Sequence, residues 1–115
     1  MLLVIDVGNT EIVLGLFKGK ELVADWKIAT DQNKTPDEYG IMIQALLNSR
    51  AQWWPGVRRG AAEQSPGIDA PVISTHDFEI EAIILSSVVP TLTNIFTTMC
   101  RTFMGLNPLV IGPGV

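Results

Sequence analysis

The stretch Leu2-Leu3-Val4-Ile5-Asp6-Val7-Gly8-Asn9-Thr10-Glu11-Ile12-Val13-Leu14-Gly15-Leu16-Phe17 decides the fold. Leu2 to Val7 is continuous, apolar and rich in branched side chains, which predicts a short buried strand. Gly8-Asn9-Thr10 reads as a turn, and Ile12 to Phe17 as a second strand. Lys18-Gly19-Lys20 is a turn centred on glycine, and Glu21 to Ile28 is a third strand. Strands joined by loops this short pair as an antiparallel meander, because a parallel crossover needs roughly a dozen residues or more.

Beyond the meander the period changes. Thr35-Pro36-Asp37-Glu38 is a helix start: Thr35 caps, Pro36 takes the first helical position, and Glu38 completes a capping box. Tyr39, Met42, Ile43, Leu46 and Leu47 then form one apolar helical face that ends near Arg50. Residues 51–77 hold Pro55, Pro66, Pro71, Gly56, Gly60 and Gly67 with no apolar period, and read as a loop insertion with Trp53 and Trp54 at its front edge. Ala82 to Val89 is a fourth strand that Pro90 stops. Leu92, Ile95, Phe96, Met99 and Phe103 mark a second helix closed by Gly105. Leu109 to Ile111 is a fifth strand, and Gly112-Pro113-Gly114 a last turn. The order β-β-β-α-β-α-β implies the α/β class: a mixed sheet with helices on its faces and its later strands parallel. In such a sheet a glycine-rich turn leads on to a helix or a ligand site, so the ending at Val115 reads as that of a truncated chain.

Composition narrows the classes. The 115 residues are 47% apolar and 17% charged, which suits a packed domain and not a disordered chain. One cysteine, Cys100, excludes an internal disulfide framework and a cysteine cluster for zinc. The formal charge of −4 argues against general nucleic-acid binding, which rests on a basic surface. No apolar run approaches the length of a membrane span. Asp6 ends the apolar N-terminal stretch and no basic residue precedes it, which makes a poor signal peptide. The expectation is a cytoplasmic protein in a reducing compartment, without membrane or nucleic-acid partners.

The chemistry gathers at Asp6-Val7-Gly8-Asn9-Thr10. Gly8 lets backbone approach a ligand and expose its N–H groups, Asn9 and Thr10 add short donors, and the Asp6 carboxylate leaves the sheet at the same place. Donors with one carboxylate suit a nucleotide phosphate with Mg²⁺. The bland reading stands beside it: Gly8-Asn9 is a good hairpin turn and Asp6 a turn acid. Elsewhere the bland readings prevail. His76 is solvent-facing, Cys100 is a packed thiol, Asp37 and Glu38 are capping and dipole acids, and Arg58-Arg59 is too short for an anion site.

Four spaced pieces carry a resemblance. They are Asp6-Val7-Gly8-Asn9-Thr10; Thr30-Asp31 with Thr35-Pro36-Asp37-Glu38-Tyr39; Ser86-Ser87-Val88-Val89-Pro90; and Gly112-Pro113-Gly114-Val115. Together they resemble the N-terminal half of a type III pantothenate kinase, over nearly the whole chain except 51–77. The resemblance implies a ribonuclease H-like/actin-like half-domain spanning 1–115, incomplete relative to the family. It implies an ATP-dependent kinase that phosphorylates pantothenate to 4'-phosphopantothenate at the start of coenzyme A biosynthesis. ATP, Mg²⁺, a monovalent cation (K⁺ or NH₄⁺) and a homodimer come with it. The family's phosphate-binding turn maps onto Asp6, Gly8, Asn9 and Thr10, with Asp6 holding Mg²⁺ through its water shell. Val7, Glu11, Ile12 and Val13 join the nucleotide stretch by position. The family's catalytic acid lies in a Gly-Ala-Asp-Arg motif that would fall beyond Val115, so no catalytic residue is assigned and the chain alone is expected to be inactive. Lys27 stands where many relatives carry arginine. Rival readings are another actin-like phosphotransferase and a non-catalytic regulator of the transcription-activator type.

Overall fold

The computed structural model describes residues 1–51 and 80–112. Its elements are β1 (Leu2–Val7), β2 (Glu11–Lys18), β3 (Glu21–Ala29), α1 (Pro36–Ala51), β4 (Ala82–Ser87), α2 (Pro90–Met99), a π-helical turn (Cys100–Met104) and β5 (Leu109–Ile111). The strands form one sheet in the order β3-β2-β1-β4-β5. β1 and β3 both pair antiparallel with β2, while β1 pairs parallel with β4 and β4 with β5. The expected mixed α/β sheet and its element order are both present.

Side chains alternate across β1, β2 and β4, and register puts like with like. Leu3 lies beside Leu16 and Ile83, Ile5 beside Leu14 and Leu85, and Val7 beside Ile12 and Ser87. All of these are buried. Their face carries α1 and α2, which pack on each other through Tyr39 and Phe96, with ring centroids 4.6 Å apart at 42°. Asp6 points to the opposite face and is exposed. Ile84 and Ser86 share that face with Leu109 and Ile111, the last two being 63% and 47% exposed.

The helix start forms as its residues dictate. The Thr35 N–H donates to Glu38 Oε1 at 3.0 Å, and the Glu38 N–H donates to Thr35 Oγ1 at 3.2 Å, a reciprocal capping box. These bonds from Thr35 hold the Glu38 carboxyl below its usual range. Tyr39, Ile43 and Leu47 form the buried stripe of α1. Gly40 sits in the same seam, where a Cβ would collide with the Phe103 ring of the π-helical turn. Cys100 is buried, as expected.

Beyond one-residue shifts at the ends of β2 and β3, two features differ from the sequence reading. β4 ends at Ser87, not Val89. The Ser87 hydroxyl donates to Val89 O at 3.0 Å and accepts from Val89 N–H at 3.1 Å, folding the chain back before the proline. Pro90 therefore opens α2, at the first-turn position where its missing N–H costs nothing, rather than closing a strand. The second helix is also not one uniform α-helix. After Met99 it widens into the π-helical turn and stops at Gly105, whose φ of 66° is the left-handed cap that glycine adopts without strain. The 51–77 insertion, with Trp53, Trp54, Arg58, Arg59 and His76, lies outside the described residues apart from Ala51, the last residue of α1. Among the described residues no helix is long and apolar enough to cross a membrane.

Candidate functional site

Strand direction brings three of the motif pieces, and Gly112 of the fourth, to one end of the sheet; the rest of the expected last turn, 113–115, lies outside the described residues. β1, β3, β4 and β5 all run the same way, so their carboxyl ends lie together with the start of β2. That end holds the turn 8–10, the segment 30–35, the residues after Ser87 and Gly112. β1 and β4 are parallel neighbours, yet the chain leaves β1 toward β2 and leaves β4 through α2 toward β5. Adjacent strands whose connections diverge leave a crevice at their carboxyl ends, where open α/β sheets bind ligands.

The turn itself is closed by short bonds. The Gly8 N–H donates to Glu11 O at 2.9 Å. A Cβ on Gly8 would lie 2.9 Å from that same oxygen, so the approach demands glycine. The Gly8 N–H is thus committed within the turn and is not a donor toward a ligand, which corrects the simplest version of the glycine argument. Three backbone oxygens are committed as well. Val7 O accepts from Val88 N–H at 3.1 Å, Gly8 O from the Thr30 hydroxyl at 2.8 Å, and Thr10 O from Thr30 N–H at 3.0 Å. Among the described residues Asn9 has no hydrogen-bond partner, and Asn9 and Thr10 are exposed.

Asp6 is exposed one residue before Val7, level with Val13 on one side and Ser86 on the other. The structure therefore gathers Asp6, Gly8, Asn9, Thr10 and Glu11 at one tip. Val7 and Ile12 face the core at 0% exposure, so of the expected nucleotide stretch they support the tip from beneath. Val13 is half-buried on the Asp6 side of the sheet. Among the described residues no group of three or more His, Cys, Asp and Glu could cage a metal ion. Two carboxylates, Asp6 and Glu11, beside neutral donors fit a Mg²⁺ held mainly by phosphate oxygens and water.

Sequence reasoning placed Thr30, Tyr39 and Ser87 in the motif pieces, and Tyr39 on the apolar helical face, but gave none of them a bonding role at the site. The Tyr39 hydroxyl donates to Asp31 O at 2.6 Å and accepts from Asp31 N–H at 3.0 Å. The Asn33 N–H donates to Asp31 Oδ1 at 2.9 Å. The segment after β3 is thereby fixed, and Thr30 with it. The signal in the sequence was the pair Thr30-Asp31, whose partners are set by sheet register and not by local spacing.

Comparison with known proteins follows the same residues. The family model for type III pantothenate kinase matches residues 2–115. The type III pantothenate kinase of Moorella thermoacetica is 44% identical over 115 residues, covering all of this chain and 36% of that protein. The type III pantothenate kinase of Geobacter sulfurreducens is 42% identical with the same coverage. The chain thus spans about a third of the length of these curated relatives, 36% in each case. A solved Aquifex aeolicus member of the Ppx/GppA family aligns with a TM-score of 0.40 and 14% identity, covering 97% of this chain and 35% of that one. That likeness is too weak to bear on the site. With three of the motif pieces and Gly112 meeting at one end of the sheet and the family match running from Leu2 to Val115, the chain belongs to the type III pantothenate kinase family.

Proposed function

We propose that this chain is the nucleotide-phosphate-binding part of an ATP-dependent kinase acting on pantothenate. The observation that carries the reading is the turn 8–10: its Gly8 and Thr10 oxygens are bonded inward while Asn9 and Thr10 remain exposed beside Asp6. An anion there meets the Asn9 and Thr10 donors, with the Gly8 and Thr10 carbonyl oxygens turned inward. Asp6 and Glu11 make this end acidic, so a polyphosphate needs a cation between itself and the protein. Mg²⁺, when bound, would neutralise phosphate charge, and Asp6 would hold it through coordinated water. The work left to this chain is positioning.

Conversion of pantothenate to 4'-phosphopantothenate, a requirement for K⁺ or NH₄⁺, a homodimeric active unit and a cytoplasmic setting belong to the same proposal through the family. No residue described here is assigned to the monovalent cation. By the family pattern the catalytic acid lies in a motif this chain does not contain, so the chain binds MgATP without turning over pantothenate.

The test is an MgATP titration of the 115-residue chain and its Asp6→Asn variant by calorimetry, with a parallel assay for phosphopantothenate. Saturable binding, weakened by about tenfold in the variant, supports the reading. Unchanged affinity in Asp6→Asn removes the metal-bridging role. Phosphopantothenate formed by pure chain overturns the expectation of binding alone.

A further inference from the structure

We infer that Thr30, on the segment after β3, is the positioning residue that aims the Asn9 amide at the ligand. The inference rests on the nucleotide reading of the turn and goes beyond it. Thr30 bonds the turn twice, through its hydroxyl to Gly8 O at 2.8 Å and through its N–H to Thr10 O at 3.0 Å. The second bond continues the β2–β3 ladder past the Glu11–Ala29 pair, and any residue could supply it. The first needs a side-chain hydroxyl.

Its consequence follows from peptide geometry. A trans peptide is planar and holds its C=O and N–H pointing in opposite directions. Drawing Gly8 O toward Thr30 therefore turns the Asn9 N–H away from Thr30. Among the described residues that N–H has no partner, and Asn9 is exposed. Among the described residues the Gly8–Asn9 peptide has no other hydrogen bond, while the Gly8 N–H before it and the Thr10 O beyond it are both bonded. Without the hydroxyl this peptide is free to rotate, and its rotation would present an oxygen to a phosphate where a donor had been. Thr30 itself cannot drift, because the next residue, Asp31, is held at both its N–H and its O by the buried Tyr39. Thr30 touches no reacting atom in this scheme; it acts through the turn.

The experiment uses the full 115-residue chain with Thr30→Val, which keeps the branched shape and removes the hydroxyl, and Thr30→Ser, which keeps it. Two quantities are read by NMR. One is exchange of the Gly8 amide without nucleotide; the other is the Asn9 amide response during titration with MgATP. The expected result for Thr30→Val is cooperative unfolding as in wild type, Gly8 exchange about tenfold faster and MgATP affinity about tenfold weaker. Thr30→Ser restores both. Unchanged Gly8 exchange in Thr30→Val overturns the clamp whatever the nucleotide does. Faster exchange with undiminished affinity overturns the positioning role. Faster exchange in a variant of a wild-type chain that binds no MgATP up to about 10 mM supports the clamp and overturns the nucleotide reading, so the two failures are told apart.

Discussion

The Tyr39 hydroxyl spans residue Asp31, donating to its carbonyl at 2.6 Å and accepting from its N–H at 3.0 Å. One buried phenol thus replaces both backbone partners that a strand or helix would have given Asp31. Its ring remains packed on Phe96 whether or not the oxygen is there. Tyr39→Phe should therefore keep the core and lose the tether. The cost is about 1–3 kcal/mol, read as a lower denaturation midpoint with unchanged slope. Exchange at Asp31 and Thr30 should rise more than exchange in β1.

Gly40 and Phe103 set the distance between α1 and the turn that follows α2. An alanine at Gly40 gains about 1 kcal/mol of helix propensity. Its Cβ would collide with three atoms of the Phe103 ring, and overpacking costs about 1–3 kcal/mol. The clash should win. Gly40→Ala is expected to lower the thermal midpoint, and Gly40→Ala with Phe103→Leu to recover part of it. A Gly40→Ala chain more stable than wild type would show that the ring yields freely.

Burial pushes the Cys100 thiol up to about 12 from an ordinary 9.0. The folded chain keeps this proton at pH values where the unfolded chain has released it. Stability from this group is fully present below pH 9.0 and falls as pH rises toward about 12. Tyr39, raised by burial as well, adds a loss of the same sign above pH 10.0. Denaturant titrations from pH 8 to 11 should show stability declining, and Cys100→Ala should flatten that decline even though it leaves a small cavity (about pH 9 is where the two curves part). The native thiol should also resist a water-soluble disulfide reagent until the chain unfolds.

What could be read from the residues was what local chemistry sets. β1 and β5 begin and end where their apolar runs do, and the capping box at Thr35 and Glu38 forms as its spacing requires. The Asp6 to Thr10 tip was visible for the same reason. The remaining features depend on partners distant in sequence. Thr30 meets Gly8 across 22 residues only because β2 and β3 register as they do. Ser87 ends β4 through its own hydroxyl, which an apolar-run reading passes over. Gly40 carries no signal in the sequence pattern, and its purpose appears only once Phe103 is beside it. The widening after Met99 had no signal in the spacing of Phe96, Met99 and Phe103.

β1 is the middle strand, hydrogen-bonded to β2 on one side and β4 on the other, while β3 and β5 form the two margins. Under mechanical load or thermal agitation the margins yield first and the central plank last. The tip that follows β1 is thus mounted on the stiffest member of the molecule, like a tool bit clamped in its chuck. Whatever it grips is held against the whole framework, and of the two margins β3 bears on that grip directly, through the Thr30 bonds to Gly8 and Thr10.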